Sequence, residues 1–338
     1  MWQVTNHTPF ATQGYFLRDQ NGVEHWVAAL RATFDLASGH FPRVASLQDP
    51  VKLIPETDPD MPDLMREESD LQPFRPATDI VLHGAASLPE AAPALTIPVT
   101  LNIGSLSKTL ICSGPRRLSR GMTKNILSDP VPISSLPLTW NHSLGGQCQK
   151  QIEAKHEANP IGMGWLSDWA LLKRGEEMDL PQITAPHAPV IPDQPFPMPQ
   201  GFGPMQPHWA PRLRLAGTFD QAWEERRHPR LPIDFDSHFH QSVLPDQIAN
   251  LVGGEPVSVI NASPQGPLHF RLPQLIIAAK TRIGPDRTDT RMRLVAITID
   301  TMKNKLSMVW NSAVPCNGRD MDVSSTSLRV MQMTGVRS

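Results

Sequence analysis

Proline constrains the fold of this chain more than any other residue, because it accounts for 35 of the 338 residues, about twice its usual share. Proline lacks a backbone N–H and its ring clashes with the preceding helical turn, so long helices are difficult to build at this density. Hydrophobic residues make up 40% of the chain and charged residues 19%, a composition typical of folded proteins. The sequence therefore argues against an all-helical bundle and favours a globular protein of short elements.

Charge, cysteine content and the N-terminal residues narrow the class of protein further. The formal net charge of −2 argues against a broad basic surface for nucleic acid or anionic lipid. The three cysteines lie far apart, without the spacing of a zinc site or a disulfide framework. Neither a signal peptide nor an apolar stretch of membrane-spanning length is visible in the sequence. We expect a cytoplasmic protein with no nucleic-acid or membrane partner and no cofactor, and we make no prediction of its oligomeric state.

Both terminal thirds of the chain alternate apolar and polar residues with a period of two, which is typical of β-strands. In residues 26–36 one face is apolar throughout, and it consists of Trp26, Ala28, Leu30, Ala32, Phe34 and Leu36. Ser38 and Gly39 are predicted to form a turn. Residues 99–103 and 109–112 are predicted to pair as neighbouring strands. Further strands are predicted at 80–85, 257–261, 269–272, 275–281, 292–300 and 306–310.

These patterns predict a mainly β fold of sandwich-like sheets, in two associated β subdomains with a few short helices and a Pro-rich irregular middle segment. The length agrees with two domains or one large one. The predicted subdomains are 1–140 and 217–338, joined by a Gly/Pro-rich irregular connection at 141–216. One continuous domain over 1–311 is the alternative.

Proline is densest between Pro181 and Pro211, a segment that also carries Phe196, Phe202 and Trp209. A free linker usually lacks such large apolar side chains. We therefore expect this segment to lie over a folded surface, with a plain flexible linker as the alternative.

Two short helices are predicted after this segment. Thr218 and Gln221 have the spacing of a capping box, which places a helix N-terminus at Thr218. A second helix is predicted at 245–252, with proline in its first turn and two glycines after its end.

The stretch that most resembles a catalytic centre contains Asp234, Asp236, His238 and His240. On a strand, the two histidines would face the same side at about 7 Å, a separation that suits a shared metal ion. The two carboxylates would orient the rings or add oxygen ligands. A hydrogen-bonded turn cluster is the alternative. A metal-dependent hydrolase built on these four residues is therefore one functional hypothesis.

A small basic cluster comprises Arg116, Arg117, Arg120 and Lys124, and it is either a solvated turn or a patch for an acidic partner. The sequence does not bring together a recognisable nucleophile, base and oxyanion donor, as a credible active site requires. From its residues alone, the chain is predicted not to be an enzyme.

A series of short motifs occurs in order along the chain. They are Asn6-x-Thr8-Pro9-Phe10, Arg31-Ala-Thr-Phe34, Glu68-Ser-Asp70-Leu71, Pro76-x-Thr78-Asp79, Gly84, Gly104, Lys108, Gly145-Gly146, Asn159-Pro160-x-Gly162-x-Gly164, Gly201-Phe-Gly-Pro204, Trp209-Ala-Pro-Arg212, Thr218-Phe-Asp220, Trp223 and Leu231-Pro-x-Asp234-Phe-Asp236. This series resembles the bacterial domain-of-unknown-function family DUF2169, whose members are linked to type VI secretion. The sequence departs from the family at 114–118, and His238 and His240 stand where the family tends to place Arg or Phe.

The resemblance implies a non-catalytic adaptor or chaperone that holds a type VI secretion effector in the cytoplasm and helps to load it onto the VgrG spike. The implied partners are the secreted effector, a PAAR-like or Rhs-associated toxin, and a PAAR-like or VgrG spike component. Phe196, Phe202 and Trp209 are the candidate partner-binding residues because large aromatic side chains suit protein interfaces. Packing of these three residues in the core is the alternative.

Overall fold

The fold is mainly β, with strands grouped in several sheets and only short helices between them. The structure is a computed structural model that describes residues 2–36, 41–148, 150–151 and 153–337. The turn predicted at Ser38 and Gly39 lies outside the described residues. Within the described ranges, no helix combines the length and the apolar character that crossing a bilayer requires.

The largest sheet, the central sheet, joins strands from both ends of the chain. In spatial order its strands are Ile248–Ala249, Thr78–His83, Arg293–Asp300, Lys305–Pro315, Glu24–Asp35 and Ala11–Arg18, and Arg43–Val44 pairs with Glu24–Asp35. Its register places Leu30 opposite Trp310 and Phe34 opposite Leu306, so these large apolar side chains share one face.

Two further sheets pack against this apolar face. The five-stranded sheet consists of Ile183–Thr184, Leu106–Ser113, Thr96–Ile103, Pro256–Ile260 and Leu268–Arg271 in spatial order. The four-stranded sheet consists of Gln3–Asn6, Val323–Thr334, Gln274–Ile283 and Asp286–Arg291. The predicted pairing of 99–103 with 109–112 is confirmed, since Thr100 lies opposite Thr109.

One hydrophobic core fills the space between these three sheets. The central sheet contributes Phe34 and Ile297, the five-stranded sheet contributes Leu101, and the four-stranded sheet contributes Ile277 and Leu328, all of them buried. Burial of one such side chain contributes about 1.5–3 kcal/mol, so this core is the main source of stability. The mainly β, sandwich-like fold predicted from the sequence is confirmed.

The smaller sheets are short and lie in the connections. They are Asn125–Leu127 with Arg117–Arg120 and Glu177–Asp179, Leu136–Pro137 with Ala85–Ala86, Leu144–Gly145 with Met163–Gly164, and Glu56–Thr57 with Met65–Glu67. The α-helices are Ala210–Leu213 and Gln221–Arg226. The 3-10 helices are Pro89–Ala91, Trp140–His142, Trp169–Leu171, Ser237–His240, Pro245–Gln247 and Asp320–Asp322.

The first predicted helix is present, but the prediction of its N-cap is wrong. The side chain of Asp220 accepts the N–H of Trp223 at 2.8 Å and caps helix Gln221–Arg226. The hydroxyl of Thr218 instead donates to Asp234 at 2.7 Å, because the chain folds back on itself there. The capping box at Thr218 is therefore not formed.

The second predicted helix, at 245–252, is wrong in length and type. Residues Pro245–Gln247 form a single 3-10 turn, and Ile248–Ala249 then pairs with Thr78–His83 at the edge of the central sheet. Sheet pairing satisfies the backbone groups that a longer helix would have satisfied internally.

Strands from 1–140 and from 217–338 pair directly within the two largest sheets. In the five-stranded sheet, Val257 lies opposite Ile103. The two segments therefore share sheets and one hydrophobic core, while the division at 140 and 216 stays a prediction about chain organisation.

Candidate functional site

The second face of the central sheet is polar and buried, and it carries an ion-pair network. The guanidinium of Arg31 donates to Asp70 at 3.1 Å and to Glu67 at 2.6 Å. Asp70 also accepts the N–H of Lys52 at 2.8 Å, and its carbonyl accepts from the Asn311 amide at 2.9 Å. Burial lowers the pKa of Arg31, but Asp70 and Glu67 more than offset this and raise it overall. The guanidinium therefore stays charged inside the protein.

A second buried arginine, Arg212, joins three separate segments of the chain. One of its Nη atoms donates to Glu68 at 2.8 Å and to the Met205 carbonyl at 2.8 Å. Its Nε and its other Nη donate to the Phe239 carbonyl at 3.2 and 3.0 Å. The two charged side chains are only 4% and 7% exposed. This one guanidinium fastens the Pro-rich segment to the segments that carry Glu68 and Phe239.

Asp79 forms the third buried contact of this network. Its carboxylate accepts from the backbone N–H of Ser242 at 2.7 Å and from the Ser242 hydroxyl at 2.9 Å. The guanidinium of Arg75 lies 3.5 Å away and donates to the His240 carbonyl at 3.0 Å. Sequence analysis did not single out Arg75. It stands between Phe74 and Pro76, and this position next to an aromatic residue and a proline is the only feature that marks it in the sequence.

Lys108 points into the sandwich rather than to solvent. Its Nζ donates to Asp246 at 2.9 Å and to the side-chain carbonyl of Gln247 at 2.8 Å, and lies 5.6 Å from the Phe202 ring centroid. The amide of Gln247 donates onward to the carbonyls of Ile80 and Phe202. Burial lowers the pKa of Lys108, although Asp246 opposes the shift. Motif residue Lys108 thus links the five-stranded sheet to the central sheet.

The three candidate partner-binding residues occupy different environments. Phe202 and Trp209 are fully buried, and Trp209 packs edge-on against Trp140 at 5.6 Å. Phe196 is half-buried and stacks on Trp169 at 4.5 Å. The Pro-rich segment therefore lies over a folded surface, as predicted. In this conformation Phe202 and Trp209 pack in the core, which is the alternative that the sequence left open.

The four residues of the hydrolase hypothesis have separate local roles. Asp234 accepts the backbone N–H and the hydroxyl of Thr218, and these contacts lower its pKa. Asp236 caps the turn that contains both histidines and accepts from the His238 backbone and ring, which lowers its own pKa. His238 and His240 lie on a 3-10 turn and not on a strand, which agrees with the alternative of a hydrogen-bonded turn cluster. Across the described ranges, no three His, Cys, Asp or Glu side chains form a group that could hold a metal ion.

His240 is packed between aromatic rings and two arginines. Its Nδ1 lies 3.0 Å from the Gln72 side-chain oxygen, and its ring contacts Phe235 and Phe74. Burial, followed by repulsion from Arg75 and Arg212, lowers the pKa of His240 to about 4. The imidazole is therefore neutral at pH 7 and contributes to packing.

Two of the four cations of the predicted basic cluster pair with carboxylates of the same chain. Arg117 pairs with Asp179 at 3.0 Å and with Glu177 at 3.5 Å, and Arg120 pairs with Asp193 at 2.6 Å. Such exposed pairs contribute little stability, but they reduce the positive charge offered to a partner. These contacts favour the solvated interpretation of the cluster.

Residues 218–231 form an excursion from the sandwich, called the excursion below. No side chain in it is buried, and at its centre the half-buried Trp223 contacts Phe219 at 4.8 Å and His228 at 5.3 Å. The indole N–H of Trp223 donates to the carbonyl of Arg230 at 2.8 Å. The motif residues Phe219 and Trp223 therefore lie at the surface, unlike those of the ion-pair network. Sequence analysis did not predict this difference, because periodicity alone does not show which short helices project.

The family model described as "Uncharacterized protein conserved in bacteria (DUF2169)" matches residues 21–311. No curated protein and no solved structure matches the chain. The matched range contains the whole five-stranded sheet, the buried ion-pair network and the excursion. The chain therefore belongs to the DUF2169 family of bacterial proteins.

Proposed function

We propose that this protein is a non-catalytic adaptor or chaperone that binds a type VI secretion effector in the cytoplasm and helps to load it onto the VgrG spike. The observation that carries the proposal is the ordered motif series, which lies within one family match over residues 21–311 except for its first motif at Asn6–Phe10. The proposed cargo is a PAAR-like or Rhs-associated toxin, and a spike component is the second partner.

The contacts of the motif residues agree with a binding scaffold. Glu68, Asp70 and Arg212 form buried ion pairs that join separate segments of the chain, and the buried Lys108 pairs with the half-exposed Asp246. A surface held by such a frame is ordered before a partner arrives, so association loses less conformational entropy. The frame therefore supports binding by a preformed surface.

The surface also offers apolar contact area. Large apolar side chains that are more than half exposed include Ile54, Phe219 and Ile233. Exposed apolar patches mark protein-interaction sites more often than scattered single residues do. An adaptor of this kind would cover apolar surface of its cargo until the spike accepts it.

Co-expression tests this proposal. We expect the soluble fraction of the effector encoded beside this chain to fall several-fold when the chain is omitted, because apolar cargo surface is then uncovered. The measurement is quantitative blotting of soluble and insoluble fractions, with an unrelated soluble protein co-expressed at the same level as control. An effector that is equally soluble and equally secreted without the chain would contradict the proposal.

A further inference from the structure

The excursion is exposed and yet held in one conformation. From Thr218 to Leu231 no residue is buried, and none belongs to the hydrophobic clusters of the sandwich. The Asp220 cap and the hydrogen bond of the Trp223 indole fix the helix and the return segment. The guanidinium of Arg227 donates to the carbonyls of Leu231 and Gln20 at 2.5 and 3.2 Å, which fastens the excursion to the rest of the chain. These contacts order a projecting surface that contributes little to the core.

Large apolar side chains are exposed in and beside the excursion. The Phe219 ring is 54% exposed while its edge packs on Trp223, and Ile233, just beyond the excursion, is 81% exposed. Aromatic side chains held rigidly at a surface are typical anchors of protein interfaces, because little side-chain entropy remains to be lost on binding.

The helix face that carries Trp223 also carries a cation, and the exposed side chain of Arg230 lies nearby along Gly22. Arg226 follows Trp223 by three residues in helix Gln221–Arg226, a spacing that places both side chains on one face. The Arg230 carbonyl is bound by the Trp223 indole, so the Arg230 backbone lies beside the ring. Glu224 and Glu225 follow Trp223 by one and two positions in the helix and therefore face away from it.

These cations differ from the arginines of the basic cluster. In the portion of the chain covered by the structure, neither Arg226 nor Arg230 forms an ion pair, although both are exposed. Arg117 and Arg120, by contrast, are neutralised by carboxylates of the same chain. Carboxylates of a partner could form ion pairs with Arg226 and Arg230. Charge complementarity of this kind determines how the partner is oriented and how fast it associates.

We propose that the excursion is the docking surface for an acidic segment of the effector, one that carries a large apolar side chain beside its carboxylates. The apolar side chain packs on Phe219 and Trp223, and the carboxylates pair with Arg226 and Arg230. This inference rests on the proposed adaptor function and assigns the cargo contact to one surface of the chain.

Two surface variants test the assignment. Arg226→Glu/Arg230→Glu reverses the charge, and Phe219→Ser removes the apolar anchor. We expect each to weaken effector binding at least about tenfold, the size typical of an interface anchor. The charge variant also loses most of the salt dependence of the dissociation constant, which the Phe219 variant keeps. The measurement is calorimetric titration of the purified effector at two salt concentrations.

Two control variants make the same kinds of substitution on other surfaces of the protein. Arg282→Glu/Arg329→Glu makes the same charge change on the exposed face of the four-stranded sheet, and Leu47→Ser removes a side chain that is 78% exposed. Both controls are expected to bind within twofold of the wild type. Unchanged unfolding midpoints for all four variants would show that the frame is intact.

The outcomes separate this inference from the proposed function. If the wild type binds the effector and the excursion variants bind equally well, the docking surface is overturned while the adaptor function stands. If the wild type binds no effector, both are overturned. If the chain self-associates in sedimentation experiments and Phe219→Ser abolishes that association without affecting effector binding, the occupant is a second copy and the assignment is also overturned.

Discussion

Replacing Arg212 by alanine is expected to lower the free energy of unfolding by about 3–5 kcal/mol, the usual cost of removing one partner of a buried ion pair. The substitution leaves Glu68 charged and 7% exposed without its cation. It also leaves the carbonyls of Met205 and Phe239 without the donors that now reach them. Urea unfolding followed by tryptophan fluorescence measures the loss.

Two further variants show whether the loss comes from the unpaired charge. Arg117→Ala removes exposed ion pairs with Asp179 and Glu177 and is expected to leave the free energy of unfolding almost unchanged. The double variant Arg212→Met/Glu68→Leu removes both charges and is expected to recover much of the loss, because apolar pairs of similar volume often replace buried ion pairs. A loss below about 1 kcal/mol for Arg212→Ala would contradict the role assigned to this network.

Replacing Trp209 by alanine is expected to destabilise the protein by a similar amount, about 3–5 kcal/mol, through the cavity left in the core. Trp209 is fully buried, and its neighbours include Trp140, Leu64, Met205 and Leu244. Its indole N–H has no hydrogen-bond partner among the residues that the structure describes. Trp209→Phe is therefore expected to lose far less stability than Trp209→Ala, since it keeps most of the ring and loses no hydrogen bond.

Phe196 provides the comparison within the same Pro-rich segment. Phe196 is half-buried and stacks on Trp169 in a smaller cluster, so Phe196→Ala is expected to cost about 1–2 kcal/mol. The stability losses of Trp209→Ala and Phe196→Ala are both measured by urea unfolding. Equal losses for Trp209→Ala and Phe196→Ala would contradict the assignment of Trp209 to the core and of Phe196 to its edge.

The strands could be predicted because their signal is local. Glu24–Asp35 and the pair Arg293–Asp300 with Lys305–Pro315 alternate apolar and polar residues, and a two-residue period determines which side chains share a face. The same period does not determine which strands are neighbours in a sheet. The parallel pairing of Thr78–His83 with Arg293–Asp300 joins residues more than two hundred positions apart, and no local pattern encodes it.

The helix predictions failed where tertiary contacts decided between local alternatives. Thr218 and Asp220 are both acceptable helix caps, and Asp234 takes the Thr218 hydroxyl, which leaves the cap to Asp220. Similarly, the proline at 245 and the glycines at 253 and 254 favoured a helix between them, but Ile248–Ala249 pairs with the edge of the central sheet.

The candidate site could be predicted in its residues but not in its contacts. Glu68 and Arg212 both belong to motifs quoted from the sequence, yet they are 144 residues apart and their pairing depends on the folded chain. For the excursion, the sequence does not show whether its apolar residues are buried or exposed. Phe219 and Trp223 are as apolar as core residues, and only the structure shows that they project from the sandwich.

Light scattering on a mixture of the purified chain and the purified effector encoded beside it tests the central claim most directly. The account predicts one species that survives a salt wash and whose mass is the sum of the two chains in a fixed ratio. Elution of the two proteins as separate species, with the effector folded and secreted by cells that lack this chain, would contradict the account.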